Sequence, residues 1–243
     1  MFQTDPFALI VVLVGLSLLP FVAMIATCYL KIVVVMSLIR NALGIQSIPP
    51  NMVINALAII LTLFVMAPVM SESWDILAET QNAAARSAPA LQQGAGAVPQ
   101  GPAQQNAAKP MSFSFSTDQI APAAEPFRKF LSERTSNKER AFFVRTAETL
   151  WAKDGEPAVV DPESFWILLP SFCVSELTKA FQIGFLVYLP FIAIDIIVSN
   201  ILLAMGMMMV SPVTISLPFK LLLFVMVDGW TLLIQGLIRG YIV

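Results

Sequence analysis

Apolar positions in this chain come in long unbroken blocks, set apart by prolines and short polar stretches rather than by alternation. Phe7 to Leu30 is nearly continuous, long enough as a helix, at about 1.5 Å per residue, to cross the hydrocarbon of a bilayer. Pro20 predicts a kink inside it, because proline removes a backbone donor and crowds the preceding turn. The same helix is expected to continue through Lys31 to Leu43, with Gly44 as its stop. Pro49-Pro50 then breaks the chain, and a second apolar helix is predicted from about Met52 to Val69. Further on, Asp161 as N-cap and Pro162 at the first helical position predict another start. From there an apolar helix runs to about Tyr188, Pro190 predicts a sharp bend, and a fourth helix reaches about Met209. Ser211-Pro212 interrupts again before a last helix from about Ile215 to Ile238, with Pro218 near its start.

Between these blocks the pattern changes. Gln81 to Pro110 is dominated by Ala, Gln, Pro and Gly, with Arg86 and Lys109 as its charges. Such a stretch cannot bury enough apolar surface to offset the entropy of ordering, so it reads as a flexible loop. After it, Phe127, Phe130 and Leu131 share one helical face, as do Phe143, Ala147 and Leu150. Ser136 and Glu139 have capping-box spacing at the start of the second of these helices. The organisation is therefore hydrophobic helices over 1–70, a region over 71–164 with the loop 81–110 and two amphipathic helices, and hydrophobic helices over 165–243. The fold class is all-α, with about four membrane-type helices. No internal repeat is evident.

Composition sharpens this picture. The 243 residues are 57% hydrophobic and 12% charged, against about 25% charged in ordinary soluble domains. That is a membrane protein's composition. A net charge of −2 and the lack of a basic run give no attraction to nucleic acid. The chain has no histidine, which removes imidazole acid–base chemistry and His metal ligation. Nor does it carry a Walker-type phosphate loop. No catalytic residue, metal or cofactor is expected, and the protein reads as a non-enzyme. Cys28 and Cys173 lie inside apolar segments without a CxxC, and read as small hydrophobes rather than a disulfide.

Lys31 and Arg40, with no acid between the first two apolar helices, place that loop in the cytoplasm and the N-terminus and residues 71–164 outside. Arg239 suits a cytoplasmic end. No Lys or Arg precedes the first apolar run, so a retained helix is expected rather than a cleaved signal.

Two features of the C-terminal block could carry function. Glu176, Lys179, Asp195, Lys220 and Asp228 are charges in an otherwise apolar setting, where each costs about 2.5–3.5 kcal/mol on insertion scales. Glu176 and Lys179 are one turn apart and can pair directly. The others sit alone on their helices, with Glu176 or Asp228 as expected partners for Lys220. They read either as packing and registry devices between helices or subunits, or as a proton or ion relay. Nothing in the sequence orders them along a path, which favours assembly. The second feature is Met205-Gly206-Met207-Met208-Met209. Methionine is unbranched and adaptable, so several copies turned toward one axis would form a soft apolar constriction. Gap-filling in a core is the plainer alternative.

Longer motifs carry a resemblance. Phe185-Leu186-Val187-Tyr188-Leu189-Pro190-Phe191, the methionine run, Ile215-Ser216-Leu217-Pro218-Phe219-Lys220 and Asp228-Gly229-Trp230 resemble the SctR/FliP family of type III secretion export-apparatus proteins. Ser37 to Gly44 followed by Pro49-Pro50-Asn51 looks like the same family. Arg40 to Gly44 and Val210-Ser211-Pro212 look more like its injectisome branch than its flagellar one, while the loop 81–110 is longer and richer in Ala and Gln than that branch suggests.

The resemblance implies a ring of five copies, joined by SctS-like and SctT-like subunits, that forms an entry gate for exported polypeptides. It also implies SctU-like and SctV-like partners and a place in the bacterial inner membrane at the base of the secretion system. Met205, Met207, Met208 and Met209 match the family's pore gasket, and the resemblance implies kinked helical hairpins packed on one another rather than simple spans. Rival classes fit less well. A transporter would show a repeat and broken helices around a substrate site, and an ion channel would show a polar or charged filter ring.

Overall fold

The computed structural model describes residues 6–45, 49–87, 121–152, 158–207 and 209–242. Among them every regular element is helical: α1 (Pro6–Ile25), α2 (Tyr29–Ala42), α3 (Asn51–Ser87), α4 (Glu125–Arg134), α5 (Asn137–Leu150), α6 (Phe165–Ala204), α7 (Pro212–Met226) and α8 (Gly229–Arg239). The expected all-α class is what the chain adopts. Residues 1–67 and 130–243 form one compact unit and 68–129 another.

In the larger unit α6 is the central post, packed by α2, α5 and α7. Ile32, Val35, Met36 and Ile39 recur at helical spacing on α2 and are buried, as are Ile167, Leu168, Phe172 and Ala180 on α6. The two helices approach closely at Gly184, where a Cβ would stand 2.3 Å from Leu38 Cδ1 and 3.3 Å from its Cβ. Alanine ordinarily gains up to about 1 kcal/mol over glycine inside a helix. Here the sign is expected to reverse: Gly184→Ala should lower the unfolding midpoint in detergent, and adding Leu38→Ala should recover much of the loss. A Gly184→Ala protein more stable than the parent would contradict this packing.

Several predicted boundaries move. The first helix passes through Pro20 without ending, and the chain breaks instead at Ala26–Cys28, turning by 61° into α2. Thr27 makes that break tolerable. Its hydroxyl donates to the Ala23 carbonyl at 2.7 Å and accepts from the Tyr29 amide at 3.4 Å, serving groups orphaned at two helix ends. Likewise α6 runs through Pro170, as expected, and also through Pro190, where a separate fourth helix was expected to begin after a sharp bend; it ends at Ala204, short of the expected Met209. One lost backbone bond is cheaper than two helix ends in apolar surroundings, where nothing else would satisfy the freed groups.

The opposite correction applies to the last predicted helix, which is split at Val227–Asp228 into α7 and α8, bent by 59°. α3 continues past Val69 to Ser87, so Gln81 to Ser87 are helical rather than loop, and residues 88–110 lie outside the described residues. Asp161 caps only a turn, accepting from the Glu163 amide at 2.9 Å, and α6 starts at Phe165 with Ser164 as N-cap. Ser136 does cap α5, accepting from the Lys138 amide at 3.3 Å. The face of α5 holds Ala147 buried, but Leu150, at the frayed end, is exposed. Both cysteines are free.

α3 over Asn51–Asn82 and α6 are long and apolar enough to cross a membrane, and the bent pairs α1–α2 and α7–α8 each qualify as one broken span.

Candidate functional site

Two buried charge clusters and one exposed turn stand out. The first cluster centres on Glu176, in the first third of α6 and fully buried. Its Oε1 accepts from Lys179 Nζ at 3.1 Å, and its Oε2 lies 3.3 Å from Lys31 Nζ and accepts from the Tyr241 hydroxyl. Lys31 also stands 3.8 Å over the centre of the Tyr241 ring, a cation on an aromatic face. Burial first, and then the Glu176 charge, push the Tyr241 phenol up, so it stays a neutral donor.

Around this core, Lys179 donates to the Arg134 carbonyl at 2.7 Å, satisfying an acceptor left over at the end of α4. Arg134 in turn donates to the carbonyls of Gly240 at 3.2 Å and Tyr241 at 2.7 Å. The Ser136 amide donates to Ser175 Oγ at 2.9 Å. One carboxylate thereby joins α2, the α4–α5 turn, α6 and the segment after α8.

The second cluster joins α6 to α7 and to the end of α2. Lys220 Nζ lies 2.6 Å from Asp195 Oδ2 and donates to the Ala42 carbonyl at 3.3 Å. Ser216, one turn before Lys220, donates to Asp195 Oδ1 at 2.5 Å. The partner of Lys220 is thus Asp195, not Glu176 or Asp228. Asp228 is exposed and forms no salt bridge among the described residues.

The α6–α7 pair ends in the methionine turn. Gly206 has φ 73°, the Met207 amide donates to the Leu202 carbonyl at 3.0 Å, and the Gly206 amide donates to Leu203 at 3.0 Å. This is a Schellman closure, and glycine is required where φ is positive. Ser211 and Pro212 then start α7, with Pro in the first turn, where its missing N–H costs nothing. Met205, Met207 and Met209 sit at this tip with 67%, 43% and 101% exposure. Met208 lies outside the described residues. Gap-filling in a core does not describe the three that are placed.

Sequence reasoning passed over Lys31, Arg134 and Tyr241. Lys31 was assigned to membrane orientation alone, yet it is buried inside the protein, where it answers to Glu176 rather than to a cytoplasmic surface. The signal that could have found it is that a lone cation in one apolar helix needs a lone anion in another. Among the described residues no group of His, Cys, Asp and Glu side chains could hold a metal.

Comparison with known proteins gives consistent matches. The model of the FliP family matches residues 12–237. The chain is 47% identical over 237 residues to Yop proteins translocation protein R of Yersinia pestis, covering 98% of this chain and 97% of that one. It is 42% identical over 234 residues to hypersensitivity response secretion protein HrcR of Ralstonia nicotianae, covering 96% of each. The flagellar biosynthetic protein FliP of Pectobacterium carotovorum is 39% identical over 240 residues, covering 96% of this chain and 77% of that protein.

Proposed function

This chain belongs to the FliP family and is a type III secretion protein of the injectisome branch, and on that premise we propose that several copies of it form the gate through which unfolded polypeptides leave. The observation that carries this reading is the exposed methionine turn at the tip of the packed α6–α7 pair. A tip that leaves Met205, Met207 and Met209 exposed is placed to meet the same tip of its neighbours. Thioether side chains can close against small ions and still re-form around a passing chain.

The apolar rows on the same helices support assembly. Val174, Leu177, Phe181 and Phe185 line a shallow groove of about 510 Å³ along α6, and Leu186, Ile196 and Ile197 extend the exposed apolar surface of that helix. Such surface needs lipid or a neighbouring subunit. Five copies, together with SctS-like and SctT-like subunits and in contact with SctU-like and SctV-like proteins, are the assembly this reading expects, seated in the bacterial inner membrane. The chain contributes packing and a closure rather than chemistry. Energy for export comes from elsewhere in the apparatus.

The test is electrical. Replacing Met205, Met207 and Met209 with Ala is expected to leave assembly intact and to raise small-ion leak severalfold in cells expressing the gate. Conductance equal to the parent's, in variants shown to assemble, would remove the gasket role.

A further inference from the structure

The short helix α8 is anchored at its two ends and rests on the protein by one apolar face between them, with its other face open. At its start, Asp228 has φ 54° and ψ 49°, and is the one non-glycine residue with positive φ among the described residues. Aspartate is one of the few non-glycine residues that tolerates left-handed backbone, which marks this point as a turn between helices. The next residue, Gly229, has no room for a side chain, since a Cβ would stand 2.3 Å from the Phe224 ring, and Trp230 meets that ring edge-on at 5.4 Å. Beside this pivot lies an apolar hollow of about 370 Å³ lined by Met36, Pro49, Val53, Ile54, Leu57 and Trp230, which gives the indole space to move.

Along the helix itself Leu237 is buried and Leu233, Ile234 and Ile238 are half-buried, all on one face. Thr231, Leu232, Gln235, Gly236 and Arg239 are exposed, and a Cβ on Gly236 would meet nothing within 4 Å. The far end is the reverse. Tyr241 stacks near Phe130 at 6.4 Å, lies under Lys31 and donates to Glu176, while Arg134 grips the Gly240 and Tyr241 carbonyls.

We propose that α8 is a hinged arm, closed in this structure by a latch that Tyr241 makes with the Glu176 cluster, and free to turn about Asp228 when that latch is released. The latch couples the arm to the α2–α6 packing. A subunit interaction that disturbs Lys31, Arg134 or Glu176 therefore moves α8 without touching it. Two packings separated by one small polar cluster are the kind of element that converts a local change into a discrete displacement. The inference does not rest on the methionine constriction, and its test reads no secretion or leak.

The experiment uses the full chain, purified in detergent, with Cys28→Ser and Cys173→Ser removing the native thiols. Spin labels at Gln235→Cys on α8 and Lys138→Cys on α5, both exposed, report their separation by double electron–electron resonance. The parent is expected to give one narrow distance. Tyr241→Ala is expected to add a second, broader population, while a reference pair at Lys138→Cys and Gln182→Cys on α6 stays narrow. Because Tyr241→Ala removes a buried ring, Tyr241→Phe and Arg134→Gln repeat the test with the core filled, and each is expected to show a smaller second population. A single narrow distance in all folded variants, or equal broadening in the reference pair, would overturn the hinged arm.

Discussion

Replacing Glu176 with Gln is expected to destabilise the protein by about 3–5 kcal/mol, the cost of stranding buried charge by removing its partner. The side chains of Lys31 and Glu176 are 5% and 1% exposed, so the Lys31 ammonium would keep only the Tyr241 ring and an amide oxygen in place of an anion. Lys179 is less affected, since its side chain is 40% exposed and can reach water. Unfolding in detergent, followed by tryptophan fluorescence, should show the lower midpoint. The same argument gives a rescue. Glu176→Leu combined with Lys31→Met removes both charges and should regain most of the stability, because an apolar pair of similar volume carries no desolvation cost. A Glu176→Gln protein as stable as the parent, or a double variant worse than the single, would mean that the cluster is not what holds α2 to α6.

Lys220→Glu is the second large effect expected. Its carboxylate would face Asp195, with the Lys220 and Asp195 side chains 4% and 33% exposed in the present pair, and the Ala42 carbonyl that now accepts from Lys220. Three acceptors would then meet with no cation between them, and breaking a buried pair alone costs about 3–5 kcal/mol. The variant should fail to form oligomers on native gels, because the α6–α7 hairpin would no longer hold its tip in place. Adding Asp195→Lys should restore opposite charges but not the bonds to Ala42 and from Ser216, so recovery is expected to be partial. Reversals at Glu176 or Asp228 should not help. Lys220→Met should be the mildest change, since Asp195 keeps Ser216 and some water. Normal oligomers from Lys220→Glu would refute this role.

How much of this was legible beforehand differs from element to element. The apolar blocks and the cap at Ser136 follow from local chemistry and stand where the residues put them, whereas the helix expected to reach about Met209 ends at Ala204 and leaves the methionines in a turn. Pro190 misled, because the rule that proline separates helices is a local one. There it lost to the larger cost of exposing helix ends in an apolar setting, and α6 runs on to Ala204. Conversely, the Asp228-Gly229 pair is a turn signal that was passed over, and the angle taken there depends on how Phe224 and Trp230 pack at the corner. The charges were visible as a need without an address. Their partners lie on other helices, and which lone anion meets which lone cation depends on helix rotation and register, not on spacing along the chain.

The sequence alone therefore determined a helical membrane-type protein without histidine, with family-specific motifs and an adaptable methionine segment, because hydropathy, residue inventory and turn chemistry are local properties. Tertiary structure alone decided that Glu176 takes Lys31 and Tyr241, that Lys220 takes Asp195, and that α6 stays whole while the last helix breaks. Those outcomes depend on desolvation and packing among segments far apart in the chain, where a charge is stable only if another helix brings its counterpart within a few ångströms.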